Sequence, residues 1–161
     1  MFIIPVIKKE DAKGELKLLY RMIERSLAFV PPHFELFATI DIEAMKEFTA
    51  YNQKMATHEN IDKNLLPHLR LAIAKRECRN YCVAFNTKML EQGKFDIDEK
   101  QELLMSKVLK ALSETDKFCS EDLDELKEIG FSDKDFFDLL NYATSFMAKS
   151  KMIEIYLKKE A

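Results

Sequence analysis

The sequence predicts an all-α fold, and three observations carry that prediction. Only three glycines and four prolines occur in 161 residues, too few for the tight turns of a many-stranded sheet. Apolar residues recur at intervals of three and four through most of the chain, the period of an amphipathic helix. Candidate caps stand at the ends of these periodic segments, among them Asp41, Gly93, Ser120, Gly130 and Ser132.

The elements follow in order. A first helix is expected from about Asp11 to Leu27, with Leu16, Leu19, Tyr20 and Ile23 on one face. Val30-Pro31-Pro32 ends it, because proline cannot continue a helix and restricts the residue before it. A short helix through Phe34, Phe37 and Ala38 comes next, then one capped by Asp41 and carrying Met45, Phe48 and Met55. The central helix is expected to run unbroken from Asn64 to Gln92 and to stop at Gly93. Its stripe, Leu71, Ala74, Cys78, Cys82, Phe85 and Met89, places both cysteines on one face. After a loop at Lys94–Asp98 comes a helix with Leu103, Leu104, Val108 and Leu112. Ser120 is expected to cap a brief helix, Glu121–Ile129, which Gly130 closes. Ser132 and Asp135 read as a capping box with Asp in place of Glu, opening a last helix through Phe136, Leu140, Ala143, Met147 and Ile153. The whole, residues 1–161, reads as a single antiparallel helical bundle.

Composition narrows the function. Hydrophobic residues at 47% and charged residues at 33% fit a globular chain of about one domain. The net charge of −3 is spread over interspersed signs with no basic stripe, so no nucleic-acid partner is expected. Met1–Ile7 is apolar but too short for a signal segment, and no stretch reaches the roughly 18 apolar residues of a membrane helix. No membrane partner is expected, and three cysteines without an export signal point to a reducing cytoplasm.

Chemistry concentrates in Arg76-Glu77-Cys78-Arg79-Asn80-Tyr81-Cys82-Val83-Ala84-Phe85-Asn86. Two thiols one helical turn apart are either a redox pair or two small core residues. Cβ atoms four residues apart on a helix lie roughly 5–6 Å apart, whereas a disulfide wants about 3.5–4.5 Å. A Cys78–Cys82 bond therefore requires a local break or bulge in the helix. Cys119, in a polar stretch, reads as incidental, with a distant resolving role as its alternative. His33, His58 and His68 show no metal-ligand spacing, and no phosphate loop or Ser-His-Asp ordering occurs, so neither metal nor cofactor is expected.

Three segments carry a resemblance. Val30-Pro31-Pro32-His33-Phe34-Glu35-Leu36-Phe37-Ala38 resembles a V-P-x-x-F-x-x-x-A segment, Tyr81-Cys82-Val83-Ala84 a Y-C-V-A-x-H core, and Gly130-Phe131-Ser132-Asp133 a G-[FL]-[ST]-D-E turn. In this order, in an all-α chain, they resemble the carboxymuconolactone decarboxylase / alkylhydroperoxidase-D (AhpD-like) superfamily. The resemblance implies a homo-oligomer, a trimer or hexamer, and a thiol site that reduces a small-molecule peroxide and is recharged by a thiol reductant. One aromatic of Phe136-Phe137 would then be left for a subunit interface.

Peroxidase members carry Cys-x-x-Cys, a histidine one turn later and an upstream glutamate. Aligned on Tyr81-Cys82, the first cysteine falls on Arg79, the histidine on Asn86 and the glutamate on Pro67, while Cys78 stands one position early. The resemblance thus implies Cys82 as reactive thiol, Cys78 as its partner, Arg79 and Asn86 as tuning neighbours, and His68, beside the lost glutamate, as a candidate proton-transfer group. Asn86 cannot take a proton at neutral pH, whereas Arg79 can lower a nearby thiol's pKa by charge. Two other readings stand beside the thiol oxidoreductase: a catalytically silent oligomer that keeps the fold for binding or assembly, and a decarboxylase-like lyase. A redox enzyme needs an accessible Cys82 with a depressed pKa; a silent scaffold has it buried and inert.

Overall fold

The computed structural model describes residues 2–158, and these form eight α-helices with a single 3₁₀ turn at Thr115–Lys117. Among the described residues the one extended pairing is an isolated antiparallel bridge between Phe2 and Leu157. The chain divides into two compact units, one of residues 2–54 with 155–158 and one of residues 55–154.

The first unit holds α1 (Gly14–Leu27), α2 (Pro32–Ile40) and most of α3 (Ile42–Ala56). α1 begins three residues later than its periodicity implies. Asp11 is taken into a turn on the Lys8 carbonyl (3.0 Å), and Gly14 sits at φ +54°, outside the right-handed helical region. α1 ends ahead of the prolines expected to stop it, at Leu27, where Ala28 takes the left-handed conformation at φ +65°; Pro31 and Pro32 instead open α2, since a proline at the first helical position is already set to the required φ. Asp41 caps α3 as expected, its Oδ1 accepting from the amides of Glu43 (3.0 Å) and Ala44 (3.1 Å). Leu19, Tyr20, Ile23, Ala38 and Met45 make the core of this unit, with Phe48 meeting Phe34 and Phe37 edge-on. The buried Tyr20 hydroxyl donates to the Ile7 carbonyl at 3.0 Å.

The second unit holds α4 (Leu65–Arg76), α5 (Asn80–Gln92), α6 (Glu99–Ser113), α7 (Ser120–Glu128) and most of α8 (Asp133–Tyr156). The unbroken helix expected over 64–92 is two helices. α4 ends at Arg76 in a 6→1 and 5→2 pair of hydrogen bonds, Arg79 N–H to Ala74 O (2.9 Å) and Cys78 N–H to Lys75 O (3.2 Å). That pattern requires a left-handed residue between them, and Cys78 supplies it at φ +53°. Gly130 closes α7 in the same way at φ +101°, with Phe131 N–H on Leu126 O and Gly130 N–H on Lys127 O, both at 3.0 Å. The apolar spacing runs straight through the first break, which is why periodicity alone reads it as one helix.

Two smaller differences have equally local causes. Gly93 is extended rather than left-handed; a Cβ there would come within 2.2 Å of the Phe95 ring, so the position needs space, not a positive φ. Cys119, not Ser120, caps α7: its amide donates to Asp122 Oδ2 at 3.1 Å while Ser120 is already helical. The Ser132–Asp135 box forms reciprocally, Ser132 N–H to Asp135 Oδ2 at 2.7 Å and Asp135 N–H to Ser132 Oγ at 3.2 Å. Phe136 is buried and Phe137 is 63% exposed, so only one of the adjacent pair enters the core. Among the described residues no helix is long and apolar enough to cross a membrane.

Candidate functional site

The break between α4 and α5 separates the two cysteines that the sequence places on one face. Cys78 lies in the connecting turn and is exposed; Cys82, on the first turn of α5, is 3% exposed. Both are free thiols. Burial pushes the Cys82 thiol up to about 11, with the charge of Glu154 adding to the rise and those of Arg79 and Arg70 opposing it. A thiol in that state is almost wholly protonated at neutral pH. Cys82 thus lacks the exposure and the lowered pKa that a redox nucleophile at this position requires, because desolvation outweighs the two guanidiniums.

Asn86 stands one turn after Cys82 and is 1% exposed. Its Nδ2 donates to the Cys82 carbonyl at 2.8 Å and its Oδ1 accepts from Arg70 Nε at 2.8 Å. Both ends of the amide are thus engaged, and the position offers no proton acceptor to a thiol. Arg70 Nη1 donates in turn to the Tyr142 hydroxyl on α8 at 2.5 Å, so one network ties α4, α5 and α8.

Arg79 flanks the first turn of α5. Its Nη2 reaches Glu77 Oε2 only at 3.8 Å, and its buried Nε has no hydrogen-bond partner. His68 is turned to other work: its Nε2 pairs with the Phe95 carbonyl at 2.7 Å, which ties α4 to the loop before α6. The structure therefore gathers Cys82, Asn86 and Arg79 around the start of α5, with Cys78 in the turn ahead of them, and bonds His68 to none of these. Among the described residues no three His, Cys, Asp or Glu side chains are grouped to hold a metal.

Architecture at this level can be compared with solved structures. A crystal structure described as an alkylhydroperoxidase AhpD core, an uncharacterized peroxidase-related protein from Ralstonia eutropha JMP134, superposes with a TM-score of 0.75 at 20% identity, covering 95% of this chain and 88% of that one. The chain has the alkylhydroperoxidase AhpD-core fold. An uncharacterized peroxidase-related protein from Silicibacter sp. TM1040 agrees, with a TM-score of 0.74 at 16% identity over 94% of this chain and 90% of that one. No family profile matches the chain, and no curated protein does.

Within this AhpD-core fold, Arg70 and Tyr142 join the polar network at the candidate site and are not among the residues expected there from sequence. A signal for Arg70 was present. It stands three and four residues before Ile73 and Ala74, both fully buried, so a helical reading sets its guanidinium stem on the core face. Tyr142 carries no comparable mark, because a tyrosine on an apolar face reads as core whether or not its hydroxyl is used.

Proposed function

We propose that this chain is an AhpD-like, peroxidase-related thiol oxidoreductase in which the roles of the two cysteines are exchanged. Cys78 meets the oxidant and Cys82 resolves it. The observation that carries this reading is the turn at Cys78: it frees the pair from the helical spacing that would hold their Cβ atoms too far apart for a disulfide. The exposed Cys78 thiolate attacks the outer oxygen of a hydroperoxide, the O–O bond breaks, and the departing alkoxide takes a proton to leave as an alcohol. Cys78 is now a sulfenic acid. The Cys82 sulfur attacks the sulfenic sulfur, the S–O bond breaks, and hydroxide departs as water with the proton from Cys82. A small dithiol then reduces the Cys78–Cys82 disulfide. Little thiolate is present at Cys82, but attack on a sulfenic acid held in the adjoining turn is intramolecular, which offsets a small thiolate fraction. The exposed Phe137 fits the homo-oligomer that the family resemblance implies.

A second reading, a catalytically silent helical oligomer used for binding or assembly, is favoured by the burial of Cys82 and by the closed Arg70–Asn86 pair where a base would stand. Intact-mass and peptide mapping of the reduced protein after brief hydrogen peroxide treatment separates the two. A Cys78–Cys82 disulfide, or a trapped sulfenic acid on Cys78, is the expected result. An unmodified Cys78 at peroxide levels that oxidise a free-thiol control sinks the redox reading and leaves the scaffold.

A further inference from the structure

The geometry points to the outward face of α8 as a self-association surface, on which a second copy of this chain packs antiparallel about a two-fold axis near Tyr142 and Ala143. The adjacent phenylalanines divide the helix. Phe136 turns inward and stacks on Phe118 with ring centroids 5.0 Å apart, while Phe137 is 63% exposed. From Phe137 the exposed positions run through Asn141, Thr144, Ala148 and Lys151, in steps of four and three, with exposed Met152 beside the last. That is the seam spacing of two helices packed side by side. Leu140 and Met147, both half-buried, border it on one flank. The inner face of this 24-residue helix is already spent on the core through Phe136, Leu139 and Ala143. A second stripe, uncharged from Phe137 to Ala148, is presented to water.

The order of residues along the stripe identifies the occupant. In a two-fold contact each residue meets, on the partner copy, the residue equally far beyond the axis. About a centre between Tyr142 and Ala143, Phe137 falls opposite Ala148 and Asn141 opposite Thr144. The largest exposed side chain of the stripe therefore enters the space over the smallest, and does so twice, while polar meets polar between them. The ends match in charge as well. Asp133 stands within one residue of the position opposite Lys151, so antiparallel packing brings the acidic start of one helix to the basic end of the other. Lys134, the cation at the acidic end, is engaged by Asp138, and Asp133 also holds Lys127 at 3.0 Å. A parallel pairing would set Phe137 on Phe137 and Lys151 on Lys151, and both matches would be lost.

The inference gives the homo-oligomer of the proposed function a face and a symmetry and uses none of its thiol chemistry, so either can fail alone. Sedimentation velocity of the reduced protein across a micromolar concentration series tests it. The wild-type chain is expected as a dimer or a larger even-numbered assembly, because a two-fold contact joins copies in pairs. Phe137→Asp and Ala148→Arg, both at exposed positions, are expected to keep the helical circular dichroism and to raise the Kd of association at least about tenfold each. Met22→Asp, at a position 62% exposed on α1, is expected to leave the Kd unchanged. Asp133→Lys is expected to weaken association and the double variant with Lys151→Asp to restore it, a rescue that antiparallel order alone provides. A monomeric or trimeric wild type, a Phe137→Asp or Ala148→Arg variant that assembles like wild type, dissociation by Met22→Asp in their place, or a double variant without rescue overturns the proposal.

Discussion

Arg70 on α4 donates from Nε to Asn86 Oδ1 on α5 at 2.8 Å, and this bond occupies the position where the AhpD resemblance places a histidine base. A charge held on a neutral amide stands there. The consequence is mechanical as well as chemical. The same asparagine fastens the Cys82 carbonyl and, through Arg70, the Tyr142 hydroxyl, so the polar centre of residues 55–154 is a brace between helices.

Removing the brace is expected to cost stability. Asn86→Ala deletes the acceptor of a charged donor inside the core, a loss of about 1.5–3 kcal/mol for a hydrogen bond of this kind. Urea denaturation of the reduced protein, monitored by helical circular dichroism, reads it directly. A midpoint within error of wild type would mean that Arg70 finds another acceptor and that the brace is dispensable.

Cys82 sets an alkaline limit. Its thiol is pushed up to about 11 from an ordinary value near 9. Between those values the folded chain holds a proton that the unfolded chain has given up, so stability falls as pH rises through this window and is fully present below it. Cys82→Ala removes the group, and its stability is expected to decline less between pH 8.5 and about 11 than that of wild type. Urea midpoints taken across that range test the difference. Parallel declines would show that Cys82 is not the titrating group.

Much of the fold is legible in the residues because most helix ends carry their own chemistry. Asp41 accepts from two amides of α3, the Ser132–Asp135 box closes reciprocally, and Gly130 takes the left-handed conformation that only glycine adopts freely. The α4–α5 break is not legible for the complementary reason. Its left-handed residue is Cys78, neither glycine nor asparagine, and the apolar spacing of Ala74 and Cys82 continues across it. The site is legible in its cluster, Cys82, Arg79 and Asn86, but not in its electrostatics. No spacing rule states that Cys82 is desolvated, that Asn86 faces Arg70 across two helices, or that His68 is spent on the Phe95 carbonyl.

Two of the left-handed helix ends, Cys78 and Gly130, make a matched pair of tests. Cys78 at φ +53° carries a Cβ where Gly130 carries none. Cys78→Gly is expected to raise stability by about 0.5–1 kcal/mol, the relief of a left-handed L-residue less the added entropy of the unfolded chain. Gly130→Ala is expected to lower it by about 1–2 kcal/mol. A Cβ at Gly130 would meet nothing within 4 Å, so the cost there is backbone conformation alone. Thermal and urea unfolding of both variants suffice. A destabilised Cys78→Gly would mean that the cysteine side chain contributes packing that outweighs its strain.

Asp122 governs the acid side. Its carboxylate, almost wholly buried on α7, accepts from Lys107 Nζ at 2.7 Å, from Lys110 Nζ at 2.7 Å and from the Cys119 amide at 3.1 Å. The two ammonium groups and the amide hold the carboxyl well below the usual carboxylate range. A carboxyl depressed in the folded state contributes stability that is present above its unfolded value, near 4, and is lost as pH falls through the folded value. Asp122→Asn keeps the shape but cannot offer a charge to two lysines; Lys107 retains Glu125 at 2.6 Å, whereas the ion pair of Lys110 is to Asp122 itself. The variant is expected to be less stable than wild type at pH 7, with the gap narrowing steadily below about pH 4 as the wild-type carboxyl takes up its proton. Urea midpoints between pH 7 and pH 2 measure that gap. A gap that stays constant down to pH 2 would place the contribution of Asp122 in packing and amide capping, not in its charge.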